Sequence, residues 1–448
     1  MLARGFFVLY WISVFSSNST ISHKQIWQLA GPMILANISI PLLGIVDTAV
    51  VGHLDAAHYV GAVAVGTLIF SFLFWGFGFL RMATTGITAQ AVGRLDIPGS
   101  HFILQKSLVL ALVIALLLIL LQTPLSMLAF SLIDSSEQVR TLGQSYFSIR
   151  IWSSPAILAN YVILGWLIGQ ADTRSALWLV LIVNISNIIL DLVFVSVFEM
   201  AVEGVAIASV IAEYIGLLFA YFLIRRHHFP LIKTTEKNTI QFNFLSILNL
   251  HGNIFIRTLC LIFCFGFFTV QGAKQGDITL AANAILLHFI TFMAFFLDGF
   301  ANATEVITGK AVGAENKALL RQGLSYAAIW SLAIAALFSL SYSLFGSNII
   351  RLLTSIPAVI TTAEQYLPWL IIAPLIGVWS YLFDGLFIGT MRSREMRNTM
   401  LFSTFFCYFP AWYFLQSYGN HGLWFALLLF LTARGISQAY YLPRIISK

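Results

Sequence analysis

Acidic side chains standing inside apolar runs are the residues of this sequence most able to do chemistry. Asp47 lies in LLGIVDTAVV, and Asp191 closes NISNIILD over 184–191. A carboxyl in a low-dielectric site favours its neutral form, and a second carboxylate nearby favours it further, so two such groups in one cavity can share a proton. Such a pair can load and release that proton near neutral pH. Asn184, Asn187 and Asp191 follow i, i+3, i+7 spacing, which puts all three on one helix face and makes it unusually polar for a wall against lipid. Tyr146 falls at comparable depth in the preceding helix, with Asn160 lower. These amides and the phenol either line the same cavity or only join helices by hydrogen bonds. Pro32 and Pro41 each remove a backbone hydrogen bond from the helix carrying Asp47 and so permit a bend, although proline is also common in membrane helices without a switching role.

A second set of acids, Asp298, Glu305 and Asp384, lies in the other half of the chain. Their depth suits an inner gate, with Glu305 and Asp384 expected to pair with Arg81, Lys310 or Arg392. Glu213, Arg150, Arg257 and Arg434 also sit within apolar runs and need partners that the sequence does not name. His288 reads as an interior histidine rather than a proton relay. Other chemistries lack their residues. Cys260, Cys264 and Cys407 all lie in apolar runs and read as small hydrophobes, with no His or acid at zinc-ligand spacing. Gly309-Lys310 is followed by Ala311 and lacks the upstream glycine of a phosphate loop, and neither HExxH nor GxSxG occurs. The expectation is therefore no enzyme, no cofactor and no metal site.

The elements that position these groups follow from composition. Of 448 residues 59% are apolar and only 9% charged, with mean hydropathy +0.89. Soluble domains carry roughly 25% charged residues, so this chain lacks the polar side chains to cover a surface in water. Runs of about 20 apolar residues match the bilayer core. Reading them between polar breaks predicts an all-α polytopic membrane protein of twelve helices, near 27–51, 60–86, 102–122, 139–168, 175–197, 204–224, 246–270, 280–306, 322–345, 361–390, 395–416 and 421–443. Most of the 24 Lys and Arg fall on one side of this arrangement, with only Arg140, Lys274 and Arg351 opposite. That bias orients the chain with both termini cytoplasmic, and it makes the net charge of +6 a membrane-orientation signal rather than a nucleic-acid footprint. Residues 1–21 stay unassigned: Arg4 and a short apolar stretch fit a poorly cleaved leader, an over-extended start or an interfacial segment.

Landmarks also recur at a fixed offset. Ala91-Val92-Gly93 returns as Ala311-Val312-Gly313, Gly165 and Gly169 as Gly385 and Gly389, and Arg174 as Arg394, each 220 residues on. Six helices are thus duplicated in parallel orientation, a transporter architecture with alternating access between two halves. The expected organisation is an N-lobe over 22–224, a cytoplasmic linker over 225–245 and a C-lobe over 246–448.

The runs GPMILANISIPLLGIVDTAVVGHL (31–54), LRMATTGITAQAVG (80–93), NISNIILD, FLDGFANATE (296–305) and LFDGLFIGTMRSREMRN (382–398) together resemble the MATE multidrug exporters, most closely their bacterial DinF branch. Similarity runs from about Ser22 to Leu442. The resemblance implies a two-lobed antiporter of the bacterial inner membrane that expels amphipathic, often cationic compounds in exchange for protons or sodium. It places the first-lobe cation site on Asp47, Asp191 and Asn187, with Asn184 on the same face and Tyr146 and Asn160 in support, and it makes Pro32 the helix-1 proline that bends on protonation. The family's sodium-coupled branch carries an acid in helix 7, where this chain has Arg257 instead; that departure favours protons, with sodium at the first-lobe site left open. The expected cycle has Asp47 and Asp191 take up a proton and release the bound compound, in a monomer whose 15% aromatic content suits cation–π contacts with varied substrates. A lipid-linked precursor flippase of related two-lobed build is the alternative; it would have more helices and a basic cavity. A membrane enzyme and a passive channel are weaker rivals.

Overall fold

A computed structural model describes residues 21–52, 57–133, 136–226 and 244–447. The N-terminal segment, the basic linker, Asp55 and Asp134 lie outside the described residues, and so does the side chain of Asp47, although its backbone is helical. In lipid a backbone must satisfy its own polar groups, and the described elements are helical throughout. Twelve long stretches follow in order among them. These are α1 His23–Gly52, α2 His58–Gly93, α3 Ile97–Leu120, α4 Glu137–Gly169, α5 Thr173–Val197, α6 Ala201–Arg225, α7 Leu248–Ala273, α8 Asp277–Gly313, α9 Lys317–Leu353, α10 Pro357–Gly389 and α12 Asn420–Ile446, with α11 running through Ser393–Phe402, Ser403–Tyr408 and Phe409–Leu415. Ten of them are long and apolar enough to cross a membrane. The chain is a multi-pass, all-helical membrane protein. Several helices outrun the apolar windows read from sequence: α8 reaches Gly313 and α9 reaches Leu353. An apolar window marks the hydrocarbon, whereas a helix continues until a cap ends it.

The 220-residue offset is visible in the backbone. Asp96 caps α3 by accepting from the Gly99 amide at 2.8 Å, and Asn316 caps α9 by accepting from Leu319 at 2.9 Å. Leu95 and Glu315 both adopt positive φ (61° and 52°), as do Ala171 and Met391 (69° and 57°), each pair at equivalent turns. The small residues repeat for a reason. A methyl on Gly165 would run into the carbonyl of Arg81, and one on Gly385 into that of Ala301; Gly169 faces the Thr85 carbonyl as Gly389 faces that of Glu305. Glycine therefore lets α4 press on α2, and α10 on α8, at backbone distance.

By contact the chain falls into two compact units, one of Leu35–Thr88 with Asp96–Gln241, the other of residues up to Ile34, Ala89–Leu95 and everything from Phe242. Two helix ends from the N-terminal half, the start of α1 and the end of α2, therefore belong to the second unit. The start of α1 packs within the second unit, where Trp27 meets Phe300 and Trp330 edge-on, both at 5.2 Å, and His23 stacks on Tyr326 at 4.0 Å. The end of α2 does the same, as Gly93 abuts the Lys310 carbonyl and Gly313 that of Gln90, equivalent positions of the repeat. Around Trp424 and Phe268, whose rings cross at 5.0 Å, α7, α8, α10 and α12 build the apolar core of the second unit.

Candidate functional site

In the first unit the polar face of α5 is buried, with Asp191 at 0% exposure, Asn187 at 2% and Asn184 at 8%. The two amides on this face reach different neighbours. The Asn184 amide donates to Ser39 Oγ of α1 at 2.7 Å, while the Asn187 amide donates to Ser209 Oγ of α6 at 3.2 Å. Immediately beyond Asp191 the helix widens into a π-turn over Leu192–Val197. Such insertions recur at functional sites because they re-aim side chains and free backbone groups. Asp191 thus stands at the end of regular α-helix, between a serine-bonded amide face and a locally loosened backbone. Asp47 belongs to α1, the helix that also carries Ser39.

Asn160 and Tyr146 each pack against a neighbouring helix. Both hydrogen bonds of the Asn160 amide go to Glu213 of α6, one to its carboxylate at 3.0 Å and one to its carbonyl at 3.1 Å. Tyr146 is buried against α2, its ring 6.2 Å from that of Phe70 and directly over Gly66, where a Cβ would collide with it. Arg150, one turn on, holds its guanidinium 6.0 Å from the same Phe70 ring. Pro32 lies within α1, two residues before the boundary between the units, and the helix runs unbroken through it.

In the second unit Asp384 is the centre of a buried charge cluster. Arg257 of α7 binds its Oδ2, Arg434 of α12 binds the same oxygen at 2.5 Å, and Gln438 donates to Oδ1 at 2.7 Å. Of the partners expected for Glu305 and Asp384, Arg392 instead bonds Glu395 at 2.9 Å, from the N-cap of α11 to its first turn. Asp384 instead ties α7, α10 and α12 together, because Arg434 and Gln438 are one turn apart and present donors from the same face. Glu305 is buried on α8 in company with Lys310 further along the same helix, whereas Asp298 is exposed.

Sequence reasoning missed Ser39, Ser209 and Gln438 and left Glu213 without a partner. The signal existed for two of them, since Ser209 and Glu213 stand at i, i+4 in SVIAE. A cavity of about 500 Å³ in the first unit, lined by Leu68, Phe72, Leu125, Leu132 and Phe147, is apolar and does not include the Asp191 cluster.

Comparison with known proteins converges on one group. The MatE family model matches residues 32–193 and 254–414. DNA damage-inducible protein F of Escherichia coli (strain K12) is 43% identical over 94% of this chain and 92% of its own length. The probable multidrug resistance protein NorM of Photorhabdus laumondii is 24% identical over 92% of this chain and 93% of its own. Among solved structures, an outward-facing multidrug resistance MATE family transporter of the MOP superfamily superposes with TM-score 0.85 at 20% identity, covering 95% of this chain and 97% of that one.

Proposed function

Since this chain belongs to the MatE family of membrane transporters, we propose that it is a secondary active antiporter of the bacterial inner membrane, with both termini cytoplasmic, that exports amphipathic organic cations in exchange for protons. The supporting observation is the fully buried Asp191 beside Asn187, Ser209 and the π-turn, because an intramembrane acid is costly unless it serves a pathway. Asp191 and Asp47 take up the driving proton together, and the Asn187–Ser209 bond one turn before Asp191 makes the surrounding helix face polar. Proton and substrate favour different states of the same site. Loading one therefore releases the other, and the membrane potential adds about 2.3 kcal/mol per charge per 100 mV. The oxygens of Asp191, Asn187 and Ser209 are also hard donors of the kind sodium takes. In the second unit Asp384 is already neutralised by two arginines.

Reconstitution tests this directly. In proteoliposomes carrying a pH gradient, Asp191→Asn should abolish efflux of a fluorescent organic cation, and Asp47→Asn should do the same. Wild-type efflux in Asp191→Asn would refute the proton site, and efflux driven by a sodium gradient alone would reassign the coupling ion.

A further inference from the structure

The polar strip of the first unit does not end at Asn187. α5 and α6 meet at the short connection 198–200, so depth can be counted from that end along both. At ~1.5 Å per residue Asp191 lies ~9 Å below Val197, and Glu213 lies ~18 Å below Ala201, near the middle of the bilayer. Two rungs link these levels. The outer rung is the Asn187–Ser209 hydrogen bond, and the inner one is the Asn160–Glu213 bond. Ser209 and Glu213 are one turn apart on the same face of α6. Just beyond them Gly216 lets α6 lie so close that a Cβ there would strike Val183 of α5 and approach the Asn160 amide. The buried Oδ1 atoms of Asn160 and Asn187 accept from no donor among the described residues. Both are therefore open to a transient one. The charged and titratable groups that act on Glu213 and its neighbour Tyr161 are Arg150 of α4 and, on Tyr161, Arg81 of α2.

We propose that Glu213 is a second proton-carrying carboxylate of the transport cycle, an inner station between the aspartate pair and the opposite side of the membrane. The inference rests on the proton-exchange reading above. In the step, the O–H bond at Asp191 breaks and one forms at a Glu213 carboxylate oxygen; the Ser209 hydroxyl, which can accept from one neighbour while donating to another, relays the proton across the turn. Charge balances without any other reactant, and Arg150 is the counter-charge while Glu213 is ionised. A purely structural glutamate would need only to accept from Asn160, which a glutamine also does.

Glu213→Gln separates these roles, because it keeps the length and the acceptor and loses only the proton. In proteoliposomes, pH-driven efflux of a fluorescent cation should fall about tenfold or more and lose its pH dependence, while affinity for that cation stays within about twofold and Glu213→Asp recovers part of the rate. A wild-type rate and pH profile in Glu213→Gln would overturn the proposal. Should that variant not yield monodisperse protein, Ser209→Ala decides: slowed pH-driven efflux with retained cation affinity supports the relay, and a wild-type rate removes it. Asp191→Asn measured in parallel keeps the two readings apart. If it too retains pH-driven efflux, proton exchange at the aspartates fails; if it is inactive while Glu213→Gln is normal, only the inner station fails.

Discussion

Asp384 shows how burial decides what a charged residue does. Its carboxylate accepts from Arg257, Arg434 and Gln438, three donors on two helices, so it joins α10 to both. Removing one partner of a buried charge cluster costs about 3–5 kcal/mol, because the remaining charges stay buried without compensation. Asp384→Asn leaves two guanidinium groups facing a neutral amide and should lower the thermal midpoint of the purified protein strongly. Arg392→Ala is the contrasting case. Its half-exposed pair with Glu395 belongs to the class worth about 0–1 kcal/mol, so that variant should melt close to wild type. A thermal-shift measurement on both decides the matter; equal, small losses would show that the cluster contributes little to holding α7, α10 and α12 together.

At the scale of elements the duplication governs what each turn must do. Asp96 and Asn316 occupy equivalent positions, both follow a residue at positive φ, and both accept from the amide three residues on. Loss of such a cap costs about 1 kcal/mol. Asp96→Ala and Asn316→Ala should therefore shift the thermal midpoint by similar, modest amounts; a shift in one alone would mean that the two turns are equivalent in shape but not in energy. This level was also the one most open to reading from sequence. Helix number, order and the 220-residue offset follow from apolar run length and from small residues that the close approach of α2 to α4 and of α8 to α10 requires. Lateral partners were not legible. Counting residues along a helix fixes depth but leaves azimuth to tertiary packing, so the sequence offers Arg81, Lys310 and Arg392 as partners for Glu305 and Asp384 and does not single out Arg257 and Arg434. The Asn160 amide bonds Glu213, a partner that its position in the helix does not name. The i, i+4 pairs Ser209–Glu213 and Arg434–Gln438 were the available clues to azimuth, since each puts two polar groups on one helix face.

For the whole molecule, exchange of proton for substrate is a statement about linkage. If the aspartate pair binds the organic cation when ionised and loses it when protonated, each ligand must weaken the other by the same factor. Lowering the pH on the side the site faces should then weaken cation binding, and binding the cation should release a proton. Titration calorimetry in buffers of different ionisation enthalpy counts that proton. Wild type should release protons on cation binding, with an affinity that declines as pH falls; Asp191→Asn should release fewer and show a flattened pH dependence. If neutralising the site by protonation leaves cation affinity unchanged, the coupling factor is one and neither ligand releases the other, because a ligand with equal affinity for two states shifts neither. In that event the gradient would have to act through some group other than Asp47 and Asp191, and the buried face of α5 would be structural.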